Sequence, residues 1–316
     1  MTRYREALPQ LCGDIFLADA GVETDLIFNH GIEIREFAAH TLLPDPKGRA
    51  ALTRYFEGFL DLAQENGTGL ILDTVTWKAH RHWASRLGAT DDELKSANEE
   101  SVRFIADLRD RYDGNAMPIV LNGVIGPRGD AYRPEAVIAM DEAEAYFAQQ
   151  LAWLAATEVD MVSALTFNQA GEAAGLVKAA RKVGLPVVVS FTVETDGALP
   201  NGQSLADAIT SVDVATGHYP AYYMVNCAHP DHFGDALLDA PWARRIRGIR
   251  ANASRRSHAE LDEAPELDAG NPQELAQQYR ALADRMPWLN VFGGCCGSDL
   301  RHVTEIARAI AGRRTV

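Results

Sequence analysis

The run Leu289-Asn290-Val291-Phe292-Gly293-Gly294-Cys295-Cys296-Gly297 decides more about this 316-residue chain than any other stretch. Its first four residues are an apolar run of strand length, and the glycines that follow let the backbone bend sharply because they carry no Cβ. Two adjacent cysteines therefore sit at the outlet of a strand. A second run, Tyr222-Tyr223-Met224-Val225-Asn226, ends in the same way, on Cys227. If both strands belong to one sheet, three thiols converge on one point.

Working outward from these two strands, apolar runs recur at 15–18, 70–72, 119–121, 161–165, 187–193, 222–225, 246–249 and 289–292. Amphipathic stretches lie between them. Leu52, Tyr55, Phe56, Phe59, Leu62 and Ala63 fall on one face of a helix, as do Leu94, Ala97, Ser101, Ile105, Leu108 and Tyr112. Shorter periodic sets start at Tyr146, Leu205 and Leu300. Asn271-Pro272-Gln273-Glu274 reads as a helix start, with Asn271 as cap, Pro272 in the first turn and Glu274 reaching back to the cap amide. Strand and helix alternate eight times, as parallel sheets require. No Gly-rich dinucleotide fingerprint follows any strand, so the expected fold is a closed (β/α)₈ barrel over residues 1–316 rather than an open doubly wound sheet.

Barrel active sites form where the strands end. Asp19, Asp73, Thr74, Cys227, Cys295 and Cys296 then all open onto one mouth. The segment 254–270, acidic and containing Pro265, reads as a surface loop after the seventh strand.

Net charge is −14, and there is no basic run with interleaved aromatics, which argues against nucleic acid as a partner. Arg244, Arg245 and Arg247, with Arg255 and Arg256, read as solvated surface. The first residues lack the apolar core of a signal peptide, and no stretch approaches the roughly 20 apolar residues that span a bilayer. The expectation is a cytoplasmic protein with no membrane partner; whether it forms a homo-oligomer is open. Four cysteines in so long a chain do not suggest a disulfide framework. Cys12 reads as a small apolar filler. For the other three, spacing alone leaves open a zinc site with one free position, a vicinal disulfide between Cys295 and Cys296, or buried thiols.

The chain resembles the homocysteine S-methyltransferase, or homocysteine-binding, family. The likeness rests on Asn226-Cys227 after strand six and Gly293-Gly294-Cys295-Cys296 after strand eight, with supporting stretches at 17–21, 122–129, 190–193 and 251–253. It implies a Zn²⁺ ion on Cys227, Cys295 and Cys296, substrate contacts from Asp19, Gly21, Thr74 and Asn226, and a role in methionine biosynthesis. The partners it implies are a thiol acceptor, homocysteine or a relative, and a small-molecule methyl donor. One barrel has no room for separate folate and cobalamin domains, so the expected donor is a small sulfonium or quaternary ammonium compound. Aromatic faces stabilise such cations, and Trp77 and Phe167, just after strands two and four, are the candidates. Lys78 and His80 are alternatives that would meet a substrate carboxylate. The family's usual Glu at the end of strand four is Leu165 here, and its usual Gly in the first loop is Glu23. The amino group of homocysteine must then be held by Asp19 or Glu23, or the acceptor lacks one. A demethylase that uses the thiol as a sink and a non-catalytic zinc- or thiol-binding barrel stand as alternatives.

Overall fold

A computed structural model describes residues 2–112, 117–133, 136–237, 240–262, 264 and 266–313. All eight expected strands are present: β1 (Phe16–Ala18), β2 (Gly69–Asp73), β3 (Ile119–Ile125), β4 (Met161–Phe167), β5 (Val187–Phe191), β6 (Tyr222–Asn226), β7 (Ile246–Ala251) and β8 (Val291–Gly294). They pair in parallel, each with the next, and β1 returns to β8 through Phe16 opposite Val291 and Leu17 opposite Phe292. The barrel is closed. No edge is left unpaired, which removes the exposed donors and acceptors that invite aggregation.

Helices α1 (Pro46–Asn66), α2 (Asp91–Arg111), α3 (Met140–Ala155), α4 (Ala170–Lys182), α5 (Leu205–Thr216), α6 (Pro272–Arg285) and α7 (Leu300–Ile310) form the outer ring. The described residues of the sixth crossover hold only the short helices Pro230–Phe233 and Pro241–Arg245. Among the described residues, no helix is long and apolar enough to cross a membrane.

Side-chain alternation along the strands makes two cores. Phe16, Ile71, Val120, Met161, Val188, Met224 and Val291 fill the barrel interior. Leu17, Leu70, Leu121, Val162, Val189 and Phe292 face outward onto the helices. The N-terminal segment closes the bottom of the barrel, with Leu8 packed into the interior core and the backbone oxygen of Gln10 accepting from Asn290 at 2.6 Å. Asp160 holds that segment in place. Its carboxylate accepts from the amides of Arg3 and Tyr4, both at 2.8 Å, and from Leu121 at 3.0 Å.

Four expectations are corrected. Cys12 is exposed rather than a filler, because the turn Pro9–Cys12 buries Gln10 and turns Cys12 to solvent. Asn271 caps α6 as expected, but Glu274 pairs with Arg255 instead of reaching back to the cap. Arg245 is partly buried on Asp213, so that basic run is not simply solvated. The segment 254–270 is not a plain surface loop: it holds the short helix His258–Asp262, and its residues His258, Leu261 and Leu267 wall the cavity at the strand ends that carry Cys227, Cys295 and Cys296. Pro265 lies outside the described residues.

Asp160→Ala strands three backbone donors in the closed bottom of the barrel. We expect it to lower the unfolding free energy by about 3 kcal/mol, read from urea denaturation; a loss below about 1 kcal/mol would show that the N-terminal segment is not held this way.

Candidate metal centre

Cys227 follows the last residue of β6 and adopts a left-handed backbone, φ 55°. A residue with a side chain enters that region at a cost of about 1–3 kcal/mol, so its surroundings must hold it there. The Cys227 amide donates to the carbonyl of Arg250 at 3.1 Å, and the Thr192 hydroxyl donates to the Cys227 carbonyl at 3.2 Å. After β8, the Cys295 amide donates to Ala251 at 2.9 Å, and the Cys296 carbonyl accepts from Ala253 at 3.1 Å. Strands β6, β7 and β8 thus fix both cysteine turns through the backbone.

The result is a cluster of three free thiols. Cys227 Sγ lies 2.8 Å from Cys295 Sγ and 3.5 Å from Cys296 Sγ, and all three sulfurs fall within 4.8 Å of one another. Thiolates around a tetrahedral zinc at about 2.3 Å sit roughly 3.8 Å apart. The donor type and the spacing of Cys227 and Cys296 fit such an ion, and the Cys227–Cys295 contact would open by about 1 Å. Cys295 is held the most acidic of the three, by hydrogen bonds from the other two thiols and by the nearby Arg250 guanidinium.

Asn226 is the joint of this corner. Its Oδ1 accepts from the Thr166 amide at 3.0 Å and from Ser190 Oγ at 2.6 Å, while its Nδ2 donates to Thr166 Oγ1 at 2.8 Å and points to Cys295 Sγ at 3.8 Å. The ends of β4, β5 and β6 are locked beside the sulfurs.

Arg250, near the end of β7, is buried between Asp19 and Asp73 and hydrogen-bonded to both carboxylates. Its Nε donates to the carbonyl of Gly294 at 3.3 Å, one residue before Cys295. Tyr55 donates to the other oxygen of Asp19 at 3.3 Å, and Asn122 to the other oxygen of Asp73 at 2.7 Å. Burial raises the Asp19 carboxyl, and the Arg250 guanidinium opposes that rise.

A cavity of about 480 Å³ opens over the cysteines. Of the residues expected to contact substrate, Asp19, Gly21, Thr74, Trp77 and Asn226 line it. Gly21 is required there: a Cβ would come within 2.6 Å of the Cys295 carbonyl oxygen. Thr74 spends its hydroxyl on the Val124 amide and on Thr76, so it shapes the wall. Phe167 is the exception. The backbone of Thr166 is left-handed, φ 65°, and the β4–β5 register shifts there, so the alternation of β4 slips and Phe167 turns outward onto Phe147 in the helical layer. His80 is buried, bonded to Tyr146 and held down near 3 by burial. Lys78 does face the cavity, with Glu23. Burial raises the Glu23 carboxyl to about 7, with a contribution from Cys295, and burial lowers Lys78.

Sequence reading missed three residues. Arg250 gave no signal because it sits inside a basic stretch. Tyr132, in the loop after β3, places its hydroxyl 3.1 Å from Cys227 Sγ. His258 stacks on Tyr132 with ring centres 4.0 Å apart, and burial holds it near 4, so it is neutral at pH 7.

Removing Arg250 leaves Asp19 and Asp73 buried without their cation. Arg250→Met should lose about 3–5 kcal/mol of stability at pH 8. Orphaned carboxyls bind protons more tightly folded than unfolded, so stability falls as pH rises and the deficit should shrink toward pH 5. Urea denaturation at both values checks this; an equal loss at both would rule out the buried charges as the cause.

A sequence model of the homocysteine S-methyltransferase family matches residues 16–310. Among solved structures, the metallated form of the homocysteine methyltransferase MmuM from Escherichia coli superposes with a TM-score of 0.73 at 17% identity, covering 95% of this chain and 99% of that one. Its oxidized form gives 0.75 at 17% identity, covering 97% and 99%. These likenesses establish a shared barrel. No curated protein sequence matches the chain. With the family match running from the first strand through the last helix, the chain belongs to the homocysteine S-methyltransferase family.

Proposed function

We propose that the protein is a zinc-dependent thiol S-methyltransferase that moves a methyl group from a small onium donor to homocysteine or a closely related thiol. The observation that carries this reading is the convergence of the Cys227, Cys295 and Cys296 sulfurs, within 4.8 Å of one another, on the wall of a cavity large enough for two small substrates. Cys227, Cys295 and Cys296 would hold the zinc ion, which would leave a position for the acceptor thiol and favour its thiolate form at neutral pH. The metallated form of MmuM is a relative in keeping with that assignment.

The chain's own residues do the rest. Gly21 keeps the first loop low against Cys295, and Asn226 holds the strand ends that carry the cysteines. Trp77 is fixed by its indole N–H, which donates to the Leu165 carbonyl at 3.0 Å, and so presents its ring to the cavity. Phe28 and Phe37, 48% and 45% exposed, extend the aromatic wall toward solvent. Such faces hold an onium group by roughly 0.5–2 kcal/mol each; Lys78, whose Nζ lies over the Trp77 ring at 5.5 Å, opposes a second cation there, and Glu23 and Asp130 lining the same cavity offset it. In the transfer, the acceptor sulfur forms its S–CH₃ bond as the donor's S⁺–CH₃ or N⁺–CH₃ bond breaks. The electron pair of that bond stays on the donor, which leaves neutral, and the thiol proton goes to solvent.

Purified protein should carry about one zinc per chain, and Cys296→Ser should lose most of it; equal zinc in both proteins would sink the ligand assignment. Chelation should abolish methyl transfer while near- and far-UV circular dichroism stay unchanged, since the barrel has a large core of its own. Assays pair homocysteine with trimethylsulfonium and with glycine betaine. Absence of methylated thiol from every thiol and donor pair, with zinc bound, would favour the non-catalytic alternative.

A further inference from the structure

Tyr132 has no part in the transfer step, yet its hydroxyl, its ring and its backbone are all fixed. The hydroxyl lies 3.1 Å from Cys227 Sγ and 4.0 Å from Cys296 Sγ. The ring stacks on His258 with an interplanar angle of 25°, and His258 Nε2 meets Thr192 Oγ1 at 3.3 Å, the same hydroxyl that donates to the Cys227 carbonyl. The amide donates to Asp130 Oδ1 at 2.8 Å, which folds the chain into a tight turn just before Tyr132.

The rest of the grip comes from the entry to α4. Asn168 Nδ2 donates to the carbonyls of Asp130 and Ala131, at 3.2 and 2.7 Å. Gln169 donates to the Ala136 carbonyl at 2.9 Å and accepts from the Ile138 amide at 3.1 Å, and Glu172 accepts from the Arg128 amide at 2.6 Å. All three side chains are buried, so these bonds form away from water, where an unmade one is most costly. Asn168 and Gln169 follow directly on the slip at Thr166 that turns Phe167 outward. The irregular end of β4 is thus where the described residues of the β3–α3 connection are anchored.

We propose that Tyr132 is a positioning residue of the cysteine site: its hydroxyl donates to Cys227 Sγ and draws charge from that sulfur, and Asn168, Gln169 and Glu172 hold it at that distance. This rests on the metal reading of the three cysteines and adds to it a residue that acts through one ligand sulfur. A metal-bound cysteine has lost its proton, so the phenol is the donor of the contact. Hydrogen bonds to an ionised acceptor are roughly twice as strong as neutral ones, and partners of this kind orient a ligand and set metal affinity. With its amide and carbonyl already bonded, Cys227 keeps one freedom, the side-chain torsion that aims the sulfur, and the phenol fixes it.

The test uses zinc- and cobalt-loaded protein. Tyr132→Phe keeps the ring that stacks on His258 and removes only the hydroxyl. Competition with a chromophoric chelator should show about tenfold weaker zinc binding. The sulfur-to-cobalt charge-transfer band should move to lower energy, because a sulfur freed of a hydrogen bond gives up electrons more readily. Asn168→Ala should move the band the same way by a smaller amount, and the double variant no further than Tyr132→Phe alone, since Asn168 acts through that hydroxyl. Melting temperatures report whether each variant is folded; should Asn168→Ala not fold, Gln169→Ala takes its place. An unmoved band in Tyr132→Phe or additive shifts in the double variant overturns the proposal. So does an oxygen neighbour of zinc that X-ray absorption finds in wild type and not in Tyr132→Phe, which would make Tyr132 a ligand. Metal binding and spectra are read without turnover, so a protein that methylates no thiol refutes the enzymatic reading and leaves Tyr132 to be judged on these shifts. A protein that takes up neither zinc nor cobalt overturns the metal reading and this proposal together.

Discussion

A guanidinium buried between two carboxylates organises the mouth of this barrel. Arg250 ties β7 to Asp19 after β1 and to Asp73 at the end of β2, and its Nε reaches the backbone of Gly294 at the end of β8. Four strand ends are therefore fixed relative to one another beside the cysteines. A buried ion network of this kind is poor evidence for added stability, since desolvation offsets much of the Coulomb gain. What it supplies is geometry. With Arg250, Asp19 and Asp73 meeting in a closed space, the first and second strand ends cannot move away from the seventh without stranding a buried charge.

That arrangement has a consequence for recognition. Arg250 pairs with Asp19, which with Glu23 is one of the two acids that the sequence offers to a substrate amino group, and Leu165 removes the alternative on β4. Charge complementarity in the cavity shifts toward the first and second loops, where Glu23 and Lys78 stand. The aromatic side chains follow the same shift: Trp77, Trp83, Phe28 and Phe37 all come from the segments after β1 and β2. The sulfurs stand at the ends of β6 and β8, with Tyr132 beside Cys227 and His258 stacked on that ring.

Much of this was legible in the chain. Eight apolar runs predicted eight strands because a parallel barrel buries both faces of every strand, leaving near-continuous hydrophobic segments. The cysteines were legible because β6 and β8 each end on them, and strand ends in a barrel share one mouth. Other features depended on distances in space that spacing does not encode. Phe167 reads as a mouth residue until the left-handed Thr166 slips the alternation of β4. Arg250 looks like one more member of a basic stretch until β1 and β2 bring Asp19 and Asp73 against it. Tyr132 and the 254–270 segment belong to irregular connections, whose paths no periodicity predicts; only packing against the cysteines and His258 makes them part of the site.

The central claim is that three cysteine sulfurs form the protein's share of one metal site. X-ray absorption at the zinc edge of the zinc-loaded protein tests it most directly. The account predicts about three sulfur neighbours at roughly 2.3 Å, with the sulfur count rising by about one on addition of homocysteine. A shell dominated by nitrogen or oxygen, or a sulfur count that homocysteine leaves unchanged, would contradict it.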